Sequence, residues 1–168
     1  LYRLPAMCTS IASLISPVAL ANARNAIEEL KTIAEKKTPM GSMVSIKERG
    51  VVQRKLGMAE AFVQSSKAFL YQEISECWNK TLNGEIISLE EKARLLLAIT
   101  QTNQTCAQAV ELMFSAAGTT GIYTRNKLSR YFTDAQVIRH HGFSNESRYE
   151  TAAQIYLGMQ PDFAVVAF

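Results

Sequence analysis

Between Leu89 and Ala117 the chain carries Leu89, Ala93, Leu96, Thr100, Asn103, Ala107, Val110, Phe114 and Ala117, in alternating steps of four and three. A strand cannot present that series on one face, because its side chains alternate every second residue. A helix presents it as a continuous seam of the kind that packs along a neighbouring helix. Ser88-Leu-Glu-Glu91 stands just before the seam with the spacing of a capping box, in which the serine and glutamate side chains satisfy each other's backbone N–H. Gly118 stands just after it and is suited to stop the helix.

The rest of the chain reads the same way. A first helix is expected from about Ser10 to Lys36, with Ile11, Leu14, Ile15, Val18, Ala26, Ile27, Leu30 and Ile33 at helical spacing. Pro17 bends it or marks where its regular part begins. Lys37 to Val44 contains Pro39 and Gly41 and reads as a loop. Ser45-Ile-Lys-Glu48 has a second capping-box spacing and is expected to open a second helix, with Val52, Leu56, Ala59, Val63, Leu70, Ile74 and Cys77 on one stripe. Asn83-Gly84 is a turn signal. A fourth helix is expected from about Arg125, with Leu128, Phe132, Ala135 and Ile138 apolar, breaking near Gly142; a last helical piece spans about Ser147 to Leu157. Long helices joined by short loops imply an all-α fold: an antiparallel four-helix bundle with a short extra C-terminal helix.

Composition narrows the function. The 168 residues are enough for one domain with a real core. The net charge of +3 comes from lysines and arginines spread along the chain, with no basic patch interleaved with aromatics, so nucleic-acid binding has no support. No apolar run reaches membrane-spanning length, and the N-terminus lacks a signal-peptide pattern. Cys8, Cys77 and Cys106 are far apart in sequence and odd in number, which reads as reduced, mostly buried thiols in a cytoplasmic protein. No metal site is expected: the residues three before His140 and His141 are Val137 and Ile138, not the glutamates of a di-iron bundle, and there is no cysteine cluster.

The chemistry-bearing stretch is Ala117 to His141. Gly118 and Gly121, three apart, either stop a helix or let backbone N–H groups approach a bulky anion. Asp134 either pairs with Arg130 at i,i+4 or lies on a site with His141, two helical turns further along near the same face. His140 and His141 point about 100° apart on a helix, so at most one faces a site. Thr100, Asn103 and Gln104 interrupt the apolar seam; they either line a ligand pocket or cross-link helices.

This stretch resembles the C-terminal helical domain of the acyl-CoA dehydrogenase superfamily, closest to its branch of two-component flavin-dependent monooxygenases. The resemblance rests on Ala117, Gly118 and Gly121, then Leu128, Arg130, Tyr131 and Asp134, then His141, with the tail Tyr156 to Phe168 and the opening Leu1 to Pro5 also similar. Thr133 and Gln136 depart from the branch, which usually has Arg and often His there. The resemblance implies that residues 1–168 are one such domain, without the superfamily's N-terminal helical and middle β-domains. It implies FAD or FMN as cofactor, reduced by a separate flavin reductase, with Gly118, Thr119, Gly121, Arg130 and Asp134 as cofactor contacts. His141 would be the catalytic residue, near the reactive side of the flavin. A homo-oligomer, dimer or tetramer, and a small aromatic or heteroatom substrate are implied as well, with the isolated chain expected to be inactive.

The same resemblance separates two enzymes. A dehydrogenase needs a carboxylate to remove a proton α to a thioester. The family places it one residue past the histidine position, which here is Gly142, or on the first helix, where no acid occurs before Glu28. Monooxygenase is therefore favoured over acyl-CoA dehydrogenase. A non-catalytic oligomerisation or binding bundle is the remaining alternative and predicts no flavin.

Overall fold

The computed structural model describes residues 4, 5, 8, 12–124 and 126–167, with Ser13 described by its backbone alone. All regular structure among these residues is helical. In chain order come α1 (Ser13–Lys36), a 3₁₀ turn (Ile46–Glu48), α2 (Gly50–Leu82), α3 (Leu89–Ala117), the single turn α4 (Thr119–Ile122), α5 (Lys127–Arg139), α6 (Ser147–Tyr156) and a closing 3₁₀ turn (Ala164–Ala167). The expected first-helix start at Ser10, its stripe residue Ile11, the expected fourth-helix start at Arg125 and the opening tripeptide lie outside the described residues. Pro17 falls five residues into α1, which runs through it.

The two capping boxes have different outcomes. At Ser88 the hydroxyl accepts the Glu91 N–H at 3.3 Å and the Glu91 carboxylate accepts the Ser88 N–H at 2.8 Å, and α3 starts there as expected. At Ser45 the box also closes, with the Ser45 N–H donating to Glu48 at 2.8 Å, but it opens only the 3₁₀ turn. Arg49 is extended, at φ −83° and ψ 120°, which breaks the helical ladder. Helix α2 begins one residue later at Gly50, so the expectation that Ser45 starts the second helix is corrected.

Glu91 is also paired with Lys80 on the last turn of α2 at 2.5 Å, which clips the α2–α3 hairpin beside its connecting loop. The Lys80 ammonium, then the Ser88 N–H, hold the Glu91 carboxyl at about 2, well below its ordinary value of 4.5. A carboxyl whose folded pKa is depressed stabilises the fold above its unfolded pKa, and that contribution disappears as pH falls from about 4.5 to about 2. Glu91→Gln is therefore expected to lower the melting temperature at neutral pH and to melt like the parent near pH 2. Thermal melts of both proteins across that range check it; a gap that persists at the acid end would contradict the assignment.

Helix α3 is the centre of the molecule, packed against α1, α2, α5 and α6. The seam read from sequence is only one side of it. Leu95, Ala98, Thr102, Cys106, Ala109 and Met113, off that seam, are buried as well. A narrow polar edge remains at Glu90, Gln101, Gln108 and Ser115, which are exposed. The fourth side of the bundle is divided between two short helices. Helix α5 has 13 residues and joins the apolar cluster built on Ala26, Ile27, Leu30 and Met113. Helix α6 has 10 residues and joins the cluster built on Leu70, Leu95, Leu96 and Ile99. The fourth helix and the separate last helical piece expected from sequence are both present, the fourth ending at Arg139, three residues short of Gly142.

Between the two apolar clusters lie the buried polar side chains Ser16, Ser66, Thr100, Thr102, Asn103 and Gln104. Two of them cross-link helices. Thr102 Oγ1 bonds the Ala98 carbonyl at 2.7 Å and the Ser66 carbonyl of α2 at 3.3 Å. Gln104 ties α3 to the segment after α5 (below). The Asn103 side chain has no hydrogen-bond partner among the described residues and meets Asn22 and Ala135 at a crevice too narrow to hold a water. The cysteines are free and buried, as expected. Cys8 and Cys77, distant in sequence, are hydrogen-bonded neighbours, while burial pushes the Cys106 thiol up to about 12 and keeps it protonated.

Candidate functional site

The glycine motif ends α3. Gly118 adopts φ 59° and ψ −143°, a conformation essentially closed to residues with a Cβ. Its N–H donates to the Ser115 carbonyl at 3.3 Å, and the Gly121 N–H donates to the Gly118 carbonyl at 3.0 Å. Both N–H groups that were expected to reach toward an anion are thus engaged inside the turn. Gly121 has a packing reason to be glycine: an added Cβ would lie 3.2 Å from the Phe114 carbonyl oxygen and 3.3 Å from its ring. Thr119 is exposed on the next residue.

The end of α1 meets this turn. The Lys37 ammonium donates to the Ala117 carbonyl at 2.7 Å and lies 3.8 Å from where a Cβ on Gly118 would be. Thr32, Ile33, Lys36, Lys37, Thr38 and Thr120 line an open cleft of about 390 Å³ beside it. Lys36, Lys37 and Thr38 were not among the residues singled out from sequence. Lysines at a helix C-terminus are ordinarily complements to the helix dipole, so their only local signal pointed elsewhere. The donor set here, two ammonium groups with threonine hydroxyls, suits a phosphate.

Helix α5 leads from this end to the histidines. Asn126 caps it, its side-chain oxygen accepting the Leu128 N–H at 2.9 Å. Leu128 and Ala135 face the core. Arg130 and Asp134 form the i,i+4 pair on the outer side at 3.6 Å, with side chains 83% and 50% exposed, a geometry that contributes little to stability. The helix stops at Arg139, with His140 as its C-cap. His141 is therefore not two helical turns beyond Asp134 on the same face, as expected, but in the exposed turn that joins α5 to α6. A long-range contact ends the helix, and a local one starts the next. The buried Gln104 amide donates to the Arg139 carbonyl at 2.8 Å and to the Ser144 carbonyl at 3.4 Å. Asn145 then starts the next helix by accepting the Ser147 N–H at 3.1 Å.

The His141 ring is held on one side. Its Nδ1 accepts the Phe143 N–H at 3.3 Å, so in the neutral ring the proton resides on Nε2. The ring stacks on Phe143 at 5.7 Å, Phe143 meets Phe163 edge-on at 5.5 Å, and the Arg148 guanidinium sits 4.0 Å over Phe163. This aromatic row was not legible as a unit, because Phe163 arrives from the C-terminal segment. Helix α5, about 18 Å long at 1.5 Å per residue, runs between the segment after the glycine turn and the histidine turn. The fold therefore sets Gly118, Thr119 and Gly121 with Lys36 and Lys37, and sets His141 with Phe143 and Phe163, as two separate clusters.

Three comparisons bear on this arrangement. The family described as "Acyl-CoA dehydrogenase, C-terminal domain" matches residues 13–146. An indole-3-acetate monooxygenase from Pseudomonas putida is 29% identical over 160 residues, covering 95% of this chain and 41% of the relative. Two solved structures superpose on it: XiaF from a Streptomyces species in complex with FADH2 and glycerol, and 3-HSA hydroxylase from Rhodococcus sp. RHA1. Their TM-scores are 0.89 and 0.86 at 16% identity, over 97% and 98% of this chain and 41% and 42% of theirs. The chain spans about two fifths of the length of these relatives. No helix among the described residues is long and apolar enough to cross a membrane. With the family match extending over most of its length, from α1 to the turn before α6, the chain belongs to the acyl-CoA dehydrogenase C-terminal domain family.

Proposed function

We propose that this chain is the C-terminal part of a flavin-dependent oxidoreductase, a two-component monooxygenase acting on a small aromatic or heteroatom substrate with reduced flavin from a separate reductase. The observation that carries this reading is the state of His141: an exposed imidazole with Nδ1 engaged by Phe143 and Nε2 left as a donor, followed by Gly142 rather than an acid. A donor at that place suits stabilisation of an oxygen-centred negative charge. Abstraction of a proton α to a thioester would need a carboxylate, and Gly142 has no side chain to supply one. The name of the Pseudomonas putida relative is that of an enzyme acting on an aromatic acid, which supports an aromatic substrate.

The donor set around Gly118 fits a flavin phosphate. Lys36 and Lys37 would neutralise it, Thr38 and Thr120 would donate hydroxyl hydrogen bonds, and Gly118 and Thr119 would shape the edge. Bound flavin supplies the electrons that reduce O₂. This chain's share is to hold the phosphate, to present the Nε2–H of His141 and, with Phe143 and Phe163, to keep water from that side. The separation of the two clusters suits a homo-oligomer in which each end of α5 serves a different flavin. Arg130 and Asp134, facing outward, are proposed as cofactor contacts across such an interface.

Titration of reduced FMN and FAD into the full-length polypeptide that carries this domain tests the reading. Tight binding is expected, weakened about tenfold or more by Lys37→Ala, the range for losing a hydrogen bond to a charged group. Absence of flavin binding by the full-length protein would leave only a helical assembly module.

A further inference from the structure

We propose that Gln104 and Phe163 are positioning residues for His141: Gln104 fixes from the core side the turn that carries the imidazole, and Phe163 fixes the ring on which it stacks. The proposal rests on the reading of His141 as the reactive donor.

His141 sits in an exposed, glycine-containing turn, a setting in which a side chain ordinarily samples several rotamers. Two contacts from elsewhere in the chain remove that freedom. Gln104, 4% exposed in the middle of α3, bonds the carbonyls of Arg139 and Ser144, which flank the histidine on either side. The Ser144 N–H closes the turn on the His141 carbonyl at 2.9 Å. The backbone under the imidazole is thus tied to the most buried helix of the protein. This also explains why a glutamine interrupts an apolar seam.

The ring itself is held from the other direction. Phe143 accepts the imidazole as a stacking partner and donates its N–H to Nδ1. Phe163 abuts Phe143, and its own position is well determined. The neighbouring Asp162 accepts the Thr151 hydroxyl at 2.7 Å and donates its N–H to Gln154 at 2.8 Å, and Arg148 covers the Phe163 ring. Aromatic contacts of this kind have a preferred geometry and so favour one rotamer. Together the two supports hold Nε2 outward. A misplacement of about 1 Å at a reacting group is enough to slow a reaction about a hundredfold, so supports of this kind matter to rate without touching substrate.

The test is ring dynamics by NMR relaxation on the 168-residue chain with isotope-labelled histidine. In the parent, the His141 ring should be rigid, with an order parameter near about 0.85. Gln104→Met keeps the bulk and removes the donor; Phe163→Leu keeps an apolar side chain and removes the ring. Each should drop the His141 order parameter below about 0.6 and leave His140 unchanged. Phe163→Tyr, which retains the ring, should restore rigidity. A mobile His141 in the parent, or a rigid one in both Gln104→Met and Phe163→Leu, overturns the proposal. Should Gln104→Met fail to fold by circular dichroism, the Phe163 pair decides the matter alone, because that side chain lies at the periphery. The measurement needs no flavin. A rigid ring in this chain together with no flavin binding by the full-length polypeptide would refute the monooxygenase reading and leave the positioning intact.

Discussion

His141→Ala in the full-length enzyme is expected to slow substrate oxidation, or to divert reducing equivalents into H₂O₂, by about tenfold or more, the scale of losing a positioned proton donor. His140→Ala should change little. The two residues are adjacent, yet the structure gives them different surroundings. His140 caps α5 and is exposed, whereas His141 has its Nδ1 occupied and its ring stacked. Product formation and peroxide release, measured side by side in the two variants, check this. Near-parental coupling in both would reduce the pair to surface residues, and the flavin assignment would then rest on the cleft at Gly118 alone.

Leu96→Ala should destabilise the fold by about 2–5 kcal/mol, the largest stability effect expected here. Leu96 is fully buried on the central helix, within the apolar cluster that α6 covers. Deleting its side chain removes contacts to several helices at once and leaves a cavity that the surrounding long helices cannot easily collapse into. Leu82→Ala is the control: Leu82 ends α2 with 67% exposure and should change stability by less than about 0.5 kcal/mol. Urea unfolding of the three proteins gives the comparison. Equal midpoints for Leu96→Ala and the parent would mean that α3 is not the centre of the core.

Much of the helical framework was legible because the signals are local. The seam from Leu89 to Ala117, the box at Ser88 and the stop at Gly118 each act within one or two turns, and all three appear in the structure. The box at Ser45 shows the limit of such reasoning. Its hydrogen bonds form as the spacing requires, but they are satisfied by a three-residue turn, and the extended Arg49 prevents it from growing into α2. The second buried side of α3 was hidden by chemistry. Ala98, Thr102 and Ala109 are small or polar and so stand out weakly in the sequence, although all three are buried.

The site was less legible than the fold. The hydrogen bond from Lys37 to Ala117 joins residues 80 positions apart, and nothing near either one signals the other. The turn at His141 looked like continued helix because Ile138 and Arg139 keep the period going, and only the Gln104 amide, delivered from α3, ends it there. Phe163 reached the histidine row by the same kind of long-range return. By itself the sequence determined an all-helical chain, the limits of its central helix and the buried state of its thiols, since propensity, capping and periodicity are properties of neighbouring residues. Only the tertiary structure decided that α3 is covered well beyond its seam, that α5 stops short of His141, and that the lysines and the aromatic row gather at opposite ends of α5. Those outcomes depend on which surfaces meet when long helices pack, and that information is spread across the whole chain.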